Sequence, residues 1–419
     1  MCFEWAKYIF PHSLNPKRTS YNMVIKEQGV RYMNAAIMDN GRLIRITHHL
    51  TKSRLEHVRN TCKFYCPECR QEVRLKLGEH RMYHFAHIQF TACPFAIQGE
   101  TAYHQAGKTT IIDWLKRLGH QPNLEKYIPS IQQRPDVTVV DGDVSYAIEF
   151  QCANISEREL MKRTSGLRAA GMVPVWILGA NRLNRKSAQL FSFSAIHWEM
   201  LRVSQRKRLI YYCPTQQTLI YLDDIFAFQP SKTCAVMTVQ PLSACHHISE
   251  MLHKQPKKQP LNKQWLKCVQ QFRQRPPRIL SGESKRLQQL FYQHHQTAFP
   301  FMPVEMFIPL TEAYIFTSPV YVWQGYLYDW MIRRKVNESL TIQMLIKEIY
   351  RCVQAKEVKF RYANVTIEDV KAAITAYVKA LLSCGFLQVI KEGHYRVTSN
   401  QKPIRTLEEA LKRDAFLFH

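Results

Sequence analysis

A mixed α/β chain in several domains is predicted by three observations. Cysteines and histidines cluster at knuckle spacing between Cys62 and Cys93, elements run α-β-β-β-α-β from Thr101 to Leu178, and the pattern turns helical beyond residue 286. The expected plan is an irregular extension over 1–32, a small zinc-ribbon-like β domain over 33–98 and a central α/β domain over 99–225. A basic linker over 226–285 and a mostly helical domain over 286–419 follow.

The elements follow from pattern and punctuation. Asp39-Asn40-Gly41 between two apolar runs predicts a hairpin starting near Met33. Ile111, Ile112, Leu115 and Leu118 fit a 3.6-residue period, so 101–118 is read as a helix closed by Gly119. Strands are expected over 121–128, 135–140 and 145–151. A helix follows from Ser156, with Glu159 at the capping-box position, to Gly171. Val173 to Leu178 reads as a buried strand, and Arg208 to Leu222 as a hairpin broken at Cys213-Pro214. Residues 251–282 hold no acidic residue between Met251 and Gly282, which suits a linker or an arm on a nucleic-acid backbone. Helices are expected over 342–353 and 366–383, then a hairpin over 386–398. Two helices and a hairpin suggest a winged helix, although a protein-docking module has the same order.

Composition narrows the partners. The 419 residues carry a formal net charge of +25, and 46% are hydrophobic. That charge bears on partners rather than fold, and nucleic acid is the polyanion it favours. No apolar run is long enough for a membrane span, and the N-terminus lacks the pattern of a signal peptide. Twelve cysteines on such a chain point to a reducing cytoplasm, where they serve as metal ligands or buried thiols.

Two groups of residues carry chemistry. Cys66-Pro-Glu-Cys69, then His84-Phe-Ala-His87, then Cys93 have the donors of a closed tetrahedral zinc site. Cys66 and Cys69 lead and His87 follows. His84 and Cys93 compete for the fourth place, with Cys62 outside them. A small β-ribbon with little core gains stability from such a metal. The second group is Asp136, heading one strand, and Glu149, inside the next. Glu149 lies between Ile148 and Phe150 in a run that reads as buried, so a cation partner is expected. Carboxylates on adjacent strands can hold magnesium or manganese and drive attack of a metal-bound hydroxide on a phosphodiester. Gln151 shares the strand face of Glu149; its amide can orient water but adds no charge. Glu100, His104 and Lys108, four apart on one helix, share a face that offers a carboxylate, an acid or base and a phosphate contact. Arg163 is a further phosphate contact and Glu125 a further oxygen donor. Arg134 precedes Asp136 by two residues.

The Asp136 and Glu149-x-Gln151 pattern in this order of elements resembles the PD-(D/E)xK nuclease superfamily in its glutamine-bearing variant. Taken with Cys66-Pro-Glu-Cys69, His84-Phe-Ala-His87, Glu100 with His104, Arg134-Pro-Asp136-Val and Val175-Trp176-Ile177-Leu178, the chain is similar to the competence protein CoiA family over about 33–222. The resemblance implies a restriction-endonuclease-like core and a cytoplasmic protein of naturally transformable bacteria. It implies action on single-stranded DNA or branched recombination intermediates, alongside a strand-exchange recombinase and other competence proteins. It carries catalysis to Asp136, Glu149 and Gln151, with Glu100 and His104 as accessories; beside it, the residues themselves point Lys108, Arg163 and Arg134 toward nucleic acid. The lead before Met33 departs from the family pattern. Two readings stay open: a metal-dependent deoxyribonuclease, and a non-catalytic DNA-binding or recombinase-loading factor that keeps a nuclease-like fold.

Overall fold

Asp39-Asn40-Gly41 forms the expected turn, with Gly41 at φ +77°, between strands β1 (Ala35–Met38) and β2 (Leu43–Arg45). The computed structural model describes residues 35–46, 50–67, 69–78, 83–88, 101–204, 206–253, 262–334, 338–398 and 403–418. The expected extension over 1–32 lies outside the described residues, as do Cys93 and Glu100. Helix α1 (Lys52–Thr61), which no periodicity announced, precedes β3 (Phe64–Tyr65), β4 (Glu72–Lys76) and β5 (His84–His87). These strands form an antiparallel sheet in the order β2-β1-β3-β4-β5. Its core is small: Ala36, Leu55, Phe64, Val73, Leu75 and Phe85.

Helix α2 (Ala102–Arg117) starts where Thr101 Oγ1 accepts the His104 N–H, and it stops before Gly119 at φ +86°. Strands β6 (Asn123–Leu124), β7 (Val137–Asp141) and β8 (Val144–Gln151) are antiparallel neighbours. The strand expected over 121–128 is cut to two residues because Glu125 turns into the left-handed region at φ +48°. Helix α3 (Glu157–Ala169), capped by Ser156, returns the chain to β9 (Met172–Gly179), parallel to β8. The order α-β-β-β-α-β is therefore present.

The sheet then grows well beyond that core. Strands β10 (Arg185–Ser187) and β11 (Leu190–Ser192), helix α4 (Ala195–Val203), and strands β12 (Leu209–Cys213), β13 (Thr218–Ala227) and β14 (Lys232–Pro241) follow. The result is nine strands in the order β10-β11-β14-β13-β12-β9-β8-β7-β6. On one face Ile111, Trp114 and Leu115 of α2 pack against Val137, Val139, Ile148, Val175 and Ile177. On the other, Leu160, Trp198, Tyr211 and Leu222 join a core that continues into the C-terminal helices.

The linker expected over 226–285 is corrected by the structure. It contains β14, at the centre of the sheet's second half, α5 (Ile248–His253) and α6 (Asn262–Gln274). Charge suggested a solvated arm, yet Trp265, Cys268, Val269 and Phe272 form an apolar stripe on α6 and are buried. Helices α7 (Gly282–His295), α8 (Val320–Ile332), α9 (Ile342–Gln354) and α10 (Ile367–Ser383) follow. The hairpin β15 (Leu387–Lys391) and β16 (His394–Val397) and then α11 (Leu407–Phe418) complete the chain. Helix α8 is buried almost all round, so it offered no amphipathic signal. Helices α9 and α10 and the hairpin match the sequence reading, and Leu340 bridges to Tyr395 of the hairpin.

Candidate active site

The strand register brings the two acidic residues together. Val137 of β7 faces Ile148 of β8, so Asp136, one residue earlier, stands across from Glu149. Asp136 Oδ2 accepts the Phe150 N–H at 2.8 Å and lies 3.2 Å from His104 Nε2 on α2. Glu149 is only 2% exposed and its Oε2 meets the Arg163 guanidinium from α3. Two helices and two strands therefore aim four ionisable side chains at one place.

Their environments pull the two carboxyls apart. Burial pushes Asp136 up, but the His104 hydrogen bond and the charges of His104, Lys108 and Arg163 prevail and hold it at about 2. Burial pushes Glu149 up to about 8 against the pull of Arg163, and the Asp136 charge adds to the push. Burial lowers the pKa of the Arg163 guanidinium, but Glu149 and Asp136 more than reverse that. A buried pair of this kind favours a bound cation, which removes the like-charge penalty.

Gln151 and Lys108 both make contacts other than those expected of them. Gln151 turns out of the cluster and donates from Nε2 to the Ala153 carbonyl at 2.8 Å. Lys108, 3% exposed, pairs with Glu125, and its charge is felt by Asp136. Glu125 thus meets a lysine where an oxygen ligand was expected. Arg134 is exposed, with its guanidinium 5.9 Å from the centre of the Tyr127 ring.

Sequence reasoning missed what holds His104 in place. The Phe150 ring stacks on His104 at 5.7 Å, 12° from parallel, and meets Tyr103 and Tyr212 at 6.1 and 5.9 Å. This is possible because α2 carries glycine at 107: a Cβ there would lie 2.0 Å from Phe150 Cε1. The available signal was a glycine inside a helical pattern, which usually reports close packing. Gly107→Ala should therefore lower stability by about 1–3 kcal/mol, read as a drop in the thermal midpoint. Phe150→Leu in the same chain should recover part of it.

The second constellation lies in the small β domain. Cys66, Cys69 and His87 bring their ligand atoms within 4.8 Å of one another, with Cys69 Sγ 3.3 Å from His87 Nε2. The knuckle turn is held by the Cys66 N–H to Gln71 O and the Arg70 N–H to Cys66 O, with Arg70 at φ +60°. Two thiolates and an imidazole fit zinc. His84 is not in this group: it stands three residues from His87 on β5, so the pleat sends the two rings to opposite faces. Cys62 is also outside it. Cys69→Ser, or a strong chelator, should melt this domain first, seen as loss of protection from hydrogen exchange over β3–β5 while β7–β9 stay protected.

Among the described residues no helix is long and apolar enough to cross a membrane. Gln105 Nε2 donates to the Ile46 carbonyl at 2.8 Å, tying the β domain to the helix that bears His104.

Comparison with known proteins assigns these parts. A family model described as "Competence protein CoiA, nuclease-like domain" matches residues 100–257, the CoiA C-terminal domain matches 261–411, and the CoiA N-terminal domain matches 47–96. Competence protein CoiA of Bacillus subtilis (strain 168) is 33% identical over 361 residues, covering 85% of this chain and 95% of that protein. No solved structure matches significantly. With all three domains matched in order, the chain belongs to the competence protein CoiA family.

Proposed function

We propose that this chain is a divalent-metal-dependent deoxyribonuclease that processes single-stranded or branched DNA during natural transformation and homologous recombination. The observation that carries this reading is the Asp136–Glu149 pair on adjacent strands, ringed by His104, Lys108 and Arg163. Asp136 and Glu149 would hold magnesium or manganese, whose chemistry is to supply a nucleophile and neutralise charge on the phosphate. Lys108 and Arg163 contribute the positive charge that Gln151 cannot, and Arg134 faces the approaching DNA backbone. His104, held at Nε2 by Asp136, is the imidazole of the cluster and would serve as its acid or base. The Cys66, Cys69 and His87 site holds a structural zinc, and the protein acts in the cytoplasm with a strand-exchange recombinase and other competence proteins.

The test is cleavage of single-stranded, branched and duplex DNA by purified protein. Adding magnesium or manganese should start cleavage and EDTA should stop it. No cleavage of any substrate with either metal would reject the nuclease. A second reading has its own observation: Gln151 is turned to the Ala153 carbonyl and Glu149 already meets Arg163. On that reading the protein binds DNA without cutting it and loads the recombinase, so salt-sensitive binding survives without metal.

A further inference from the structure

We infer a second transition-metal site in the C-terminal domain, formed by His294, His295 and Asp329. It lies on elements separate from both the carboxylate pair and the cysteine knuckle.

Helix α7 ends on its two histidines, because Gln296 takes the left-handed conformation at φ +49° and closes the helix. The two side chains turn to one point on α8: His294 Nδ1 and His295 Nε2 each lie 2.8 Å from the same oxygen, Asp329 Oδ1. Their rings are nearly perpendicular, at 84°, so the nitrogens approach that oxygen from different directions. The three ligand atoms lie within 4.8 Å of one another. The other carboxylate oxygen, Oδ2, accepts from Arg333 Nε at 2.9 Å, which fixes the carboxylate's orientation as an outer-shell partner does in metal sites.

Burial grades across the group. The Asp329 side chain is 3% exposed, while those of His294 and His295 are 32% and 20% exposed. The carboxylate forms the floor and the imidazoles the rim, leaving an open side for an ion and its remaining water. His295 also borders a cavity of about 380 Å³ with Glu305, Glu338, Arg334 and Arg413 on its walls. The C-terminal end of a helix carries partial negative charge, which favours a cation there.

The donor set selects the ion. Two imidazoles and one carboxylate suit zinc and its neighbours, nickel, cobalt and copper, whereas magnesium and calcium prefer oxygen donors alone. Each histidine binds as the neutral ring, with its proton on the nitrogen facing away from the metal. Three protein ligands would leave the fourth position of a tetrahedral ion to water. The ion would join the end of α7 to α8 and stabilise the folded domain by mass action.

The experiment uses the full-length protein, stripped with chelator, reloaded with zinc alone and desalted before its metal content is measured. On an Asp136→Ala background, which lacks the carboxylate pair's metal site, the chain should hold two zinc ions and His294→Gln one, with Cys69→Ser losing the other. Glutamine keeps a hydrogen-bond donor near Asp329, so circular dichroism should show the variant folded. Cobalt substitution separates the sites, since only the cysteine site gives thiolate charge-transfer absorption. One zinc per chain, lost in Cys69→Ser and unchanged in His294→Gln, overturns the proposal. One zinc lost in His294→Gln and kept in Cys69→Ser supports it, whatever the fate of the knuckle.

Discussion

Asp136→Ala should reduce metal-dependent DNA cleavage at least about 10³-fold, equivalent to ~4 kcal/mol of transition-state stabilisation. Asp136 accepts from the Phe150 N–H and contacts His104, so on the nuclease reading alanine would remove the proposed metal ligand and release the imidazole together. Glu149→Gln tests the same site differently. Glutamine keeps the shape and a hydrogen-bond acceptor for Arg163 but cannot carry the charge, so kcat should fall by a similar factor with folding intact. The sign with pH follows from burial. Burial pushes Glu149 up to about 8, so an ion bound as proposed would displace its proton. Metal affinity should therefore rise with pH, by up to about tenfold per unit below pH 8, and level above it. Glu149→Gln should flatten that rise. Calorimetry in buffers of different ionisation enthalpy reads the released proton directly. An affinity independent of pH from 6 to 9 in the wild type would remove Glu149 from the ligand set.

The carboxylate pair was legible because strand sequence carries register. The turn at Gly142 and Asp143 fixes which residues face each other, and Asp136 and Glu149 face each other one step past the ladder's open end. The helical face of His104 and Lys108 was legible for the same reason, through the four-residue spacing. The partner of Lys108 was not, because Glu125 is placed by a left-handed backbone step that its residue type does not advertise. Gln151 was readable as lacking charge, but its turn toward Ala153 depends on a local carbonyl. In the second half, α8 is apolar on every side and so lacks the amphipathic contrast that sequence reading depends on, whereas α6 carries an apolar stripe that the basic residues around it obscured. The small β domain was legible through its cysteines rather than its core, which is too thin to leave a pattern.

Arg273→Met should destabilise the C-terminal domain by about 3–5 kcal/mol. Arg273 lies within the stretch whose charge suggested a DNA-binding arm, yet it is fully buried and paired with Asp414 of α11. Its Nε and Nη2 bond the two carboxylate oxygens at 2.6 and 2.8 Å, and Nη1 donates to the carbonyls of Pro300 and Met302 at 2.8 and 2.7 Å. The guanidinium also sits 4.9 Å from the Phe307 ring centre. Methionine fills the volume but leaves a buried carboxylate and two carbonyls without donors, so the cost comes from desolvation rather than a lost contact. Asp414→Leu alone strands the guanidinium and should cost a similar amount. The double substitution removes both charges and should recover much of the loss, giving a coupling of several kcal/mol in a double-mutant cycle followed by urea denaturation. If the two single losses simply add, the pair is not what joins α6 to α11. The same bond bears on how the basic stretch can be tested for DNA binding. Neutralising every lysine and arginine there would unfold the domain through Arg273, so a binding test must change the exposed Lys263, Lys267 and Arg275 and leave Arg273 in place.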